Sequence, residues 1–348
     1  MQNGALLTKN WLHCFTEMNR PTLRLFCILL LLLLTACFMG ICMGSQYISP
    51  ACAYRVLSGA QTDLLTWRIL QYVRLPRLCA GLLAGMALGL SGAVIQNVLG
   101  NPLAAPNIIG VNSGAGFAVA LAGVLFPGMV LLTPAAAFLG ALISVFAVLK
   151  IAKATEASKS TIILAGVALS SIFSAGTETV ITLWPDALTH NAQFRIGGLA
   201  NLPYSKFTVA GLVILLSSLA VFALAPMLDV LMLGDETAKS LGLRTRRIRS
   251  AFLVLAAALA GAAVSFSGIL GFIGLIIPHA IRHFTGEENS RLLPACALAG
   301  ASFLVICDTA ARTLFSPFEL PVGIVLSVLG GPFFIFLVLK KRGGHSNG

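Results

Sequence analysis

Histidine side chains stand in this sequence at a spacing that could serve metal chemistry. His279 and His283 are four residues apart, so a helix would present both on one face, as a pair of metal ligands requires. No third ligand is evident in the sequence around them, and two histidines at the interfacial end of a helix are the simpler interpretation. We therefore predict no metal site.

Carboxylates inside apolar sequence are the second group of candidates, because ionisable groups within a membrane are costly and usually functional. Glu178 lies in a hydroxyl-rich segment, which indicates either a helix that lines a polar pathway or hydrogen bonding between helices. Asp308 and Arg312 are one helical turn apart, and a structural ion pair is favoured over a proton relay. The candidate pathway residues are Ser170, Ser171, Ser174, Thr177 and Glu178.

The patterns of common catalytic sites do not occur in the sequence. There is no G-x-x-x-x-G-K-[ST], so the chain is not expected to bind and hydrolyse ATP by a P-loop. H-E-x-x-H and G-x-S-x-G are missing as well, and an intramembrane enzyme would need paired catalytic groups that we do not find. Most of the eight cysteines lie in apolar runs and none forms a C-x-x-C, so no disulfide framework is predicted.

The densest charge in the sequence lies between long apolar runs, in "LGDETAKSLGLRTRRIRS" (233–250). Gly234 and Gly242 indicate turns, and Asp235 and Glu236 would begin a short helix, where acidic side chains favour the positive end of the helix dipole. Leucine and alanine residues are interleaved with the charges. The pattern is equally typical of a solvated loop and of two short helices that dock a soluble partner.

Membrane helices are the elements that must position these residues. Of the 348 residues, 57% are hydrophobic and 10% are charged, against roughly 25% charged residues in a soluble domain. Apolar runs long enough to cross a bilayer recur along the whole chain. We predict an all-α polytopic membrane protein with about ten transmembrane helices, over 24–44, 76–98, 107–126, 129–150, 160–184, 205–228, 249–268, 270–285, 292–313 and 319–340.

Lysine and arginine are distributed unevenly between the predicted loops. If the N-terminus is cytoplasmic, the larger share of them falls on the cytoplasmic side, as the positive-inside rule requires. Both tails, 1–23 and 343–348, are then cytoplasmic and flank one transmembrane domain, 24–342. The net charge of +11 is explained by these loops, so membrane lipid is an expected partner and nucleic acid is not. The apolar run after Arg24 is too long for an ordinary signal peptide and is interpreted as a retained first span.

Proline and glycine interrupt apolar sequence in three segments, 100–116, 272–279 and 319–334. Pro102 and Pro106 disfavour helix before them, so the first segment is predicted to form the cytoplasmic turn between the second and third helices. Broken helices of this kind mark packing specialisations or substrate routes in transporters.

Eight short motifs occur in a fixed order along the chain. They are "RLPR" (74–77), "SGAVIQ" (91–96), "NPLAAPNIIGVNSGAG" (101–116), "LAGVALS" (164–170), "LGDETAKSLGL" (233–243), "GFIGLIIPHAIRH" (271–283), "RLLPACALAGAS" (291–302) and "ELPVGI…GGPFF" (319–334). Together they closely resemble the membrane subunit of bacterial ABC importers for iron-siderophores, haem and cobalamin, the FecCD/BtuC type. The resemblance runs from about residue 24 to residue 342.

The resemblance implies the type II ABC importer permease fold and a set of partners. A second permease subunit, identical or a sister chain, would complete a dimer in the bacterial inner membrane. Two ATPase subunits would dock on the cytoplasmic face and carry ATP and magnesium, so no cofactor is expected in this chain. An extracytoplasmic binding protein would deliver the chelate.

Site residues follow from the resemblance by position. The coupling helices that contact the ATPase fall in 230–248, at Leu233, Gly234, Asp235, Glu236, Ala238, Leu241 and Gly242. The arginines that dock the binding protein match Arg74, Arg77 and Arg312, and Arg68 would share this role because "WRILQYVR" lengthens the approach to the motif. The cytoplasmic gate matches Ser158, Lys159, Ser160 and Thr161, where a lysine departs from the family pattern. Structural motif positions are Gly92, Gln96, Asn101, Pro102, Pro106, Gly110, Pro278 and His279.

The implied function is alternating-access import driven by the ATPase, with a ferric siderophore as cargo because it is the commonest cargo of the family. Haem and cobalamin are the alternatives within the same family. A proton-coupled secondary transporter is a different alternative, with Glu178 or Asp308 as the relay and with no need for a structured docking segment.

Overall fold

The computed structural model describes residues 20–44, 46–59, 64–129, 131–154, 159–316 and 318–343. The regular structure in these ranges is helical, with a 3₁₀ turn at Pro106–Ile109. The helices are α1 (Arg20–Cys42), α2 (Pro50–Leu57), α3 (Leu64–Leu99), α4 (Val111–Leu125), α5 (Leu132–Ala154), α6 (Lys159–Leu183), α7 (Ala187–Ile196), α8 (Tyr204–Met232), α9 (Asp235–Ser240), α10 (Thr245–Ser267), α11 (Ile273–Thr285), α12 (Asn289–Thr313) and α13 (Val322–Gly343).

The helices confirm the predicted polytopic all-α architecture. Within the described residues, seven are long and apolar enough to cross a membrane, namely α1, α3, α5, α6, α8, α10 and α12. The shorter apolar helices α4 and α13, together with α11, account for the remaining predicted segments. Each of the ten apolar segments is therefore helical, with ends that differ by a few residues from the prediction except at the start of α3.

Small residues bring the central helices α3, α10 and α12 into close contact. A Cβ atom added to Gly85 of α3 would lie 2.3 Å from the carbonyl oxygen of Gly300 on α12, and one added to Gly300 would lie 2.3 Å from the oxygen of Gly85. Glycine and alanine at such positions allow membrane helices to pack backbone against backbone. This packing forms a rigid centre around which the other helices are arranged.

The peripheral helices leave wide apolar faces uncovered by the rest of the chain. Leu31 of α1, Leu164 of α6 and Ile335 of α13 are each more than 60% exposed. Only 17% of the most apolar stretch of α6 is buried. These faces must lie against lipid or another subunit, since apolar patches of this extent are not left in water.

The start of α3 lies twelve residues before the predicted one, at Leu64 rather than 76. A proline inside an α-helix clashes with the carbonyl four residues earlier, which is why the sequence suggested a new helix at Pro76. The structure avoids this break with a π-helical stretch over Ile69–Arg74, in which the N–H of Leu75 bonds to the carbonyl of Leu70. A π bulge re-satisfies the backbone and lets one continuous helix carry the "RLPR" motif.

The charged segment forms one short helix, where the pattern had left open a solvated loop or two short helices. The short helix is α9, and the second predicted helix is the first part of α10. Thr245, Arg249 and Phe252 are buried at helical spacing, so the same face continues from the loop into the membrane span. Two further helices, α2 and α7, lie in sequence that was interpreted as loop.

The two ends of the bundle are distinct. One end, called the α9 end, contains the end of α3, the start of α6, α9 and the α11–α12 turn. The opposite end, called the α7 end, contains α2, α7, the end of α10 and the start of α13. Backbone hydrogen bonds tie the latter together, from Gly198 N to Ser267 O (2.8 Å) and from Ile269 N to Phe194 O (2.9 Å).

Candidate functional site

The segment around α9, residues 233–243, is called the α9 segment. It is shaped by two glycines with left-handed backbone conformations. Gly234 has φ 105° and Gly242 has φ 83°, values that side chains with a Cβ rarely adopt. After α9 the chain reverses, with Gly242 N bonded to Lys239 O (2.9 Å) and Leu243 N to Ala238 O (2.9 Å). This pair of hydrogen bonds is the common way in which a helix ends at glycine. The sequence prediction of turns at both glycines is confirmed.

The α9 segment is anchored on one side and exposes apolar side chains on the other. Ala238 is buried, and Asp235 forms an ion pair with the largely buried Arg249 of α10. Leu233 and Leu241 are each 62% exposed, and Glu236 is exposed as well. An anchored helix flanked by two exposed leucines fits a protein contact better than a solvated loop.

A polar cavity of about 300 Å³ lies beside α6. Its walls come from α6, from the start of α4 with the preceding 3₁₀ turn, and from α7. Four of the five candidate pathway residues line it, whereas Ser171 bonds to the carbonyl of Val167 on the exposed face of α6. The lining residues are Asn107, Asn112, Ser113, Gly116, Ser170, Ser174, Thr177, Glu178, Asn191, Arg195 and Ile269.

Hydrogen-bonding groups in this cavity are only partly satisfied. Glu178 Oε1 accepts from Arg195 Nη1 at 2.8 Å, in a pair that is more than half exposed. Asn191 is 1% exposed and donates to the carbonyl of Gly116 (3.3 Å). Within the described residues, Asn191 Oδ1 and Ser170 Oγ have no hydrogen-bond partner. Buried polar atoms without partners are rare, so water or a polar ligand would complete them.

A cluster of buried charges lies at the α7 end. Arg77 donates to both oxygens of Asp308, from Nε at 2.9 Å and from Nη2 at 3.0 Å, and to Glu319 at 2.6 Å. Arg312 Nε lies 3.7 Å from Asp308, which confirms the predicted pair, and its Nη2 donates to the carbonyl of Gly40 (2.7 Å). The closer partner of Asp308 is thus Arg77, from a distant part of the chain.

The four predicted docking arginines divide into two groups. Arg74, Arg77 and Arg312 lie together but are 4%, 6% and 6% exposed. Arg74 binds the carbonyls of Ile41 and Gln46 and so fastens the loop after α1 to α3. Arg68 alone is exposed, directly before the π stretch. Among these four, only Arg68 is free in this structure to meet another protein.

The predicted gate residues lie at the start of α6. Ser158 falls outside the described residues. Lys159 is partly buried beside the turn at Gly100, and Ser160 is exposed. The lysine thus lies where the ends of α3 and α6 meet.

The predicted motif positions brace the turns between helices. Gln96 donates to the carbonyl of Gly274 (3.2 Å), and Asn101 Oδ1 accepts from Leu103 N (2.9 Å). Gly110 ends the 3₁₀ turn with φ 84°. The His279 ring packs edge-on against Phe333 of α13 at 6.1 Å. Across the described residues, no three His, Cys, Asp or Glu side chains lie close enough to hold a metal ion.

The family profile that matches the sequence spans nearly the whole bundle. It is that of the FecCD transport family, and it covers residues 30–340. The chain belongs to the FecCD transport family.

Relatives of known assignment support the same family over almost their full length. The Fe(3+)-citrate import system permease of Bacillus subtilis is 36% identical over 92% of this chain and 96% of its own. The hemin transport system permease of Yersinia pestis is 35% identical over 93% and 97%. The vitamin B12 import system permease of Citrobacter koseri is 36% identical over 96% and 99%. This FecCD chain is accordingly a multi-pass membrane permease subunit of the ABC importer type.

Solved structures agree with this assignment. A metal-chelate type ABC transporter in an inward-facing conformation superposes with a TM-score of 0.78 at 30% identity, over 92% of this chain and 99% of the other. PsaBC from Streptococcus pneumoniae gives a TM-score of 0.55 at 16% identity, which shows a shared fold alone. The type II importer fold that the motifs implied is thereby confirmed.

Several residues that line the cavity beside α6 were missed by sequence reasoning. Asn191 and Arg195 lie on α7, in a polar stretch that was interpreted as loop. Asn112 and Ser113 belong to a quoted motif, but their side chains were not assigned to the pathway. The sequence held a signal for both groups. Polar residues lie next to apolar runs in "GVNSGAG" and "THNAQFR", as they do in α6.

Proposed function

We propose that this FecCD permease forms the membrane pathway of an importer that carries a ferric siderophore across the bacterial inner membrane. The polar residues that line the cavity beside α6 support this cargo. Amide and hydroxyl groups with one Glu178–Arg195 pair offer hydrogen bonds to an oxygen-rich chelate. Haem and cobalamin are the alternative cargoes within the same family.

The cavity is suited to passage rather than storage. The groups that line it are neutral apart from one exposed ion pair, and exposed pairs contribute little net free energy. A pathway that bound the chelate tightly would retain it. Both carboxylates proposed for a proton relay, Glu178 and Asp308, are ion-paired, so the secondary-transporter alternative gains no support.

Energy for transport would come from separate ATPase subunits that bind ATP and magnesium. The sequence contains no P-loop, and the anchored α9 segment presents Leu233 and Leu241 to a soluble partner. The α9 end also carries the cluster of arginines after Gly242, and by the positive-inside rule we propose that this end and both termini face the cytoplasm. No cofactor is proposed in this chain.

A second permease subunit would complete the pathway. Ser171, Glu178 and Thr182 share one uncovered face of α6, and a carboxylate such as Glu178 is costly to expose to lipid. Two such faces opposite each other would enclose a polar route. ATP-driven displacement of α9 would move these walls apart and together, which is alternating access.

The decisive experiment reconstitutes the permease with its ATPase and binding protein in proteoliposomes. We expect ATP-dependent uptake of a ferric hydroxamate, and little uptake of haem or cobalamin. Leu241→Asp, which places a charge in the proposed ATPase contact, should abolish co-purification of the ATPase and uptake together. Gly123→Ala, in an open part of α4, is the matched control and should change neither. Uptake that follows a proton gradient without ATP would refute the proposal.

Docking of the binding protein is proposed to depend on Arg68 at the α7 end. Arg68→Glu should weaken binding to an acidic binding protein at least about fivefold at low salt, with the difference shrinking as salt screens the contact. Lys153→Glu changes the charge equally on an exposed side chain at the other end of the bundle and should not affect affinity. Surface plasmon resonance on nanodiscs measures both. Equal effects of the two variants would remove Arg68 from the docking site.

A further inference from the structure

A continuous chain of polar side chains crosses the α9 end, apart from the cavity and the charge cluster. Arg282 of α11 donates to Gln96 Oε1 (3.1 Å) and to Asn97 Oδ1 (2.8 Å) on α3. Asn97 Nδ2 then donates to Oδ1 of Asn289 at the start of α12 (2.5 Å). Asn289 donates from its backbone N (2.9 Å) and from Nδ2 (2.7 Å) to Oδ1 of Asp229 on α8. Four helices are joined by this chain.

The central members of this chain are buried and mutually satisfied. Asn97 is 4% exposed and Asn289 is 0% exposed. The side-chain oxygen of Asn289 is used towards α3 and its nitrogen towards α8, so this one amide links the two sides. Removing a buried partner costs the desolvation of the group left behind, which makes such a fully paired network specific in geometry.

The network meets the α9 segment at its entrance. Asp229 lies in the last turn of α8, four residues before Leu233, so its position sets where the chain enters α9. On the other side, Asp235 is paired with Arg249 of α10. The short helix is therefore anchored to α10 through Arg249, and the end of α8 that leads into it is anchored to α3, α11 and α12 through Asn289.

We propose that Asn289 is a positioning residue that transmits displacement of α9 to α3, α11 and α12. The inference rests on the proposed function, because it takes α9 as the segment that the ATPase moves. Without this link, displacement of α9 would move the end of α8 without carrying α3, α11 and α12 along. ATP would then be hydrolysed with less movement of the polar wall.

The ratio of chelate imported to ATP hydrolysed tests this role in the reconstituted complex of permease, ATPase and binding protein. Asn289→Leu keeps the side-chain size and removes both side-chain links, while the backbone N–H bond to Asp229 stays. It should lower the ratio at least about threefold with the ATPase still bound. Ser290→Ala is the matched control, since its hydroxyl bonds only to Glu288 (2.5 Å) at the surface. Import and hydrolysis that fall in equal proportion would overturn the proposal.

Variants at Asp229 separate positioning from general damage. Asp229→Asn keeps the oxygen that accepts from Asn289 and should preserve the ratio, whereas Asp229→Leu should lower it as Asn289→Leu does. Because both leucine variants remove the side-chain bond between Asn289 and Asp229, the loss in the double variant should be smaller than the product of the two single losses. Losses that multiply in the double variant would overturn the proposal, and the Asp229 pair carries the test if Asn289→Leu does not fold.

Hydrogen exchange provides a measurement that needs no cargo. In the same complex, Asn289→Leu should speed exchange of the amides of 230–240 about tenfold, as loss of a hydrogen bond to a charged group predicts. Ser290→Ala should not. If the wild-type complex hydrolyses ATP without importing any chelate, the proposed function fails on its own account. Unchanged exchange in Asn289→Leu would overturn the positioning role whatever the cargo.

Discussion

Replacing Asp308 by alanine should lower the free energy of unfolding by about 3–5 kcal/mol. Asp308 is buried and accepts hydrogen bonds from Arg77 at 2.9 and 3.0 Å, with Arg312 at 3.7 Å. Its removal leaves two guanidinium groups about 6% exposed with less opposite charge around them. Removing one partner of a buried ion pair costs far more free energy than the intact pair contributes, because the remaining charge stays desolvated. The melting temperature of the full-length chain in mild detergent measures the loss.

An exposed pair in the same molecule supplies the control for this prediction. Glu178 and Arg195 form a 2.8 Å ion pair with side chains 61% and 53% exposed. Glu178→Ala should therefore change stability by less than about 1 kcal/mol. Similar melting temperatures for Glu178→Ala and Asp308→Ala would show that burial does not govern the strength of these pairs.

Gly92→Ala should lower the free energy of unfolding by about 3 kcal/mol or more. A Cβ at this position would lie 2.0 Å from the oxygen and 2.4 Å from the Cα of Gly274, where α3 crosses α11. Both contacts are with backbone, so no side-chain rotation can relieve them and the two helices must separate. The yield of monodisperse protein and its melting temperature should both fall.

A second glycine shows whether this effect comes from packing or from glycine itself. Gly123 lies in α4, and a Cβ there would meet nothing within 4 Å. Gly123→Ala should leave stability unchanged or raise it by up to about 1 kcal/mol, since alanine favours helix. If Gly92→Ala melted like Gly123→Ala, the close approach of α3 and α11 would be absent from the protein in its membrane.

The positions of the membrane helices could be predicted from the sequence because hydropathy is a local property. The apolar runs gave ten segments, and each is helical in the structure. The ends of the helices were less predictable. Pro76 would break a regular α-helix, but it is tolerated after the π stretch that precedes it. The short helix α7 lacks an apolar run and was missed for the same local reason.

The candidate site was predicted only where its parts are near in sequence. The turns around α9 followed from glycine and acidic residues within a few positions, and the hydroxyls of α6 followed from one helix. Arg77 and Asp308 are 231 positions apart, and Asn97 and Asn289 are 192 apart. Such pairs depend on how helices cross, which residue types in one sequence do not determine.

The π stretch in α3 has a consequence for how this permease can change over evolution. A π turn contains one residue more than an α turn, so it absorbs a single insertion and rotates everything before it by about 100°. Arg68 lies before Ile69–Arg74, whereas Arg77 and its buried partners lie after it. Insertions or deletions in this stretch can therefore redirect the exposed arginine without disturbing the charge cluster. The contact with a partner protein can therefore change during evolution while the buried charge cluster, and the stability it provides, stays the same.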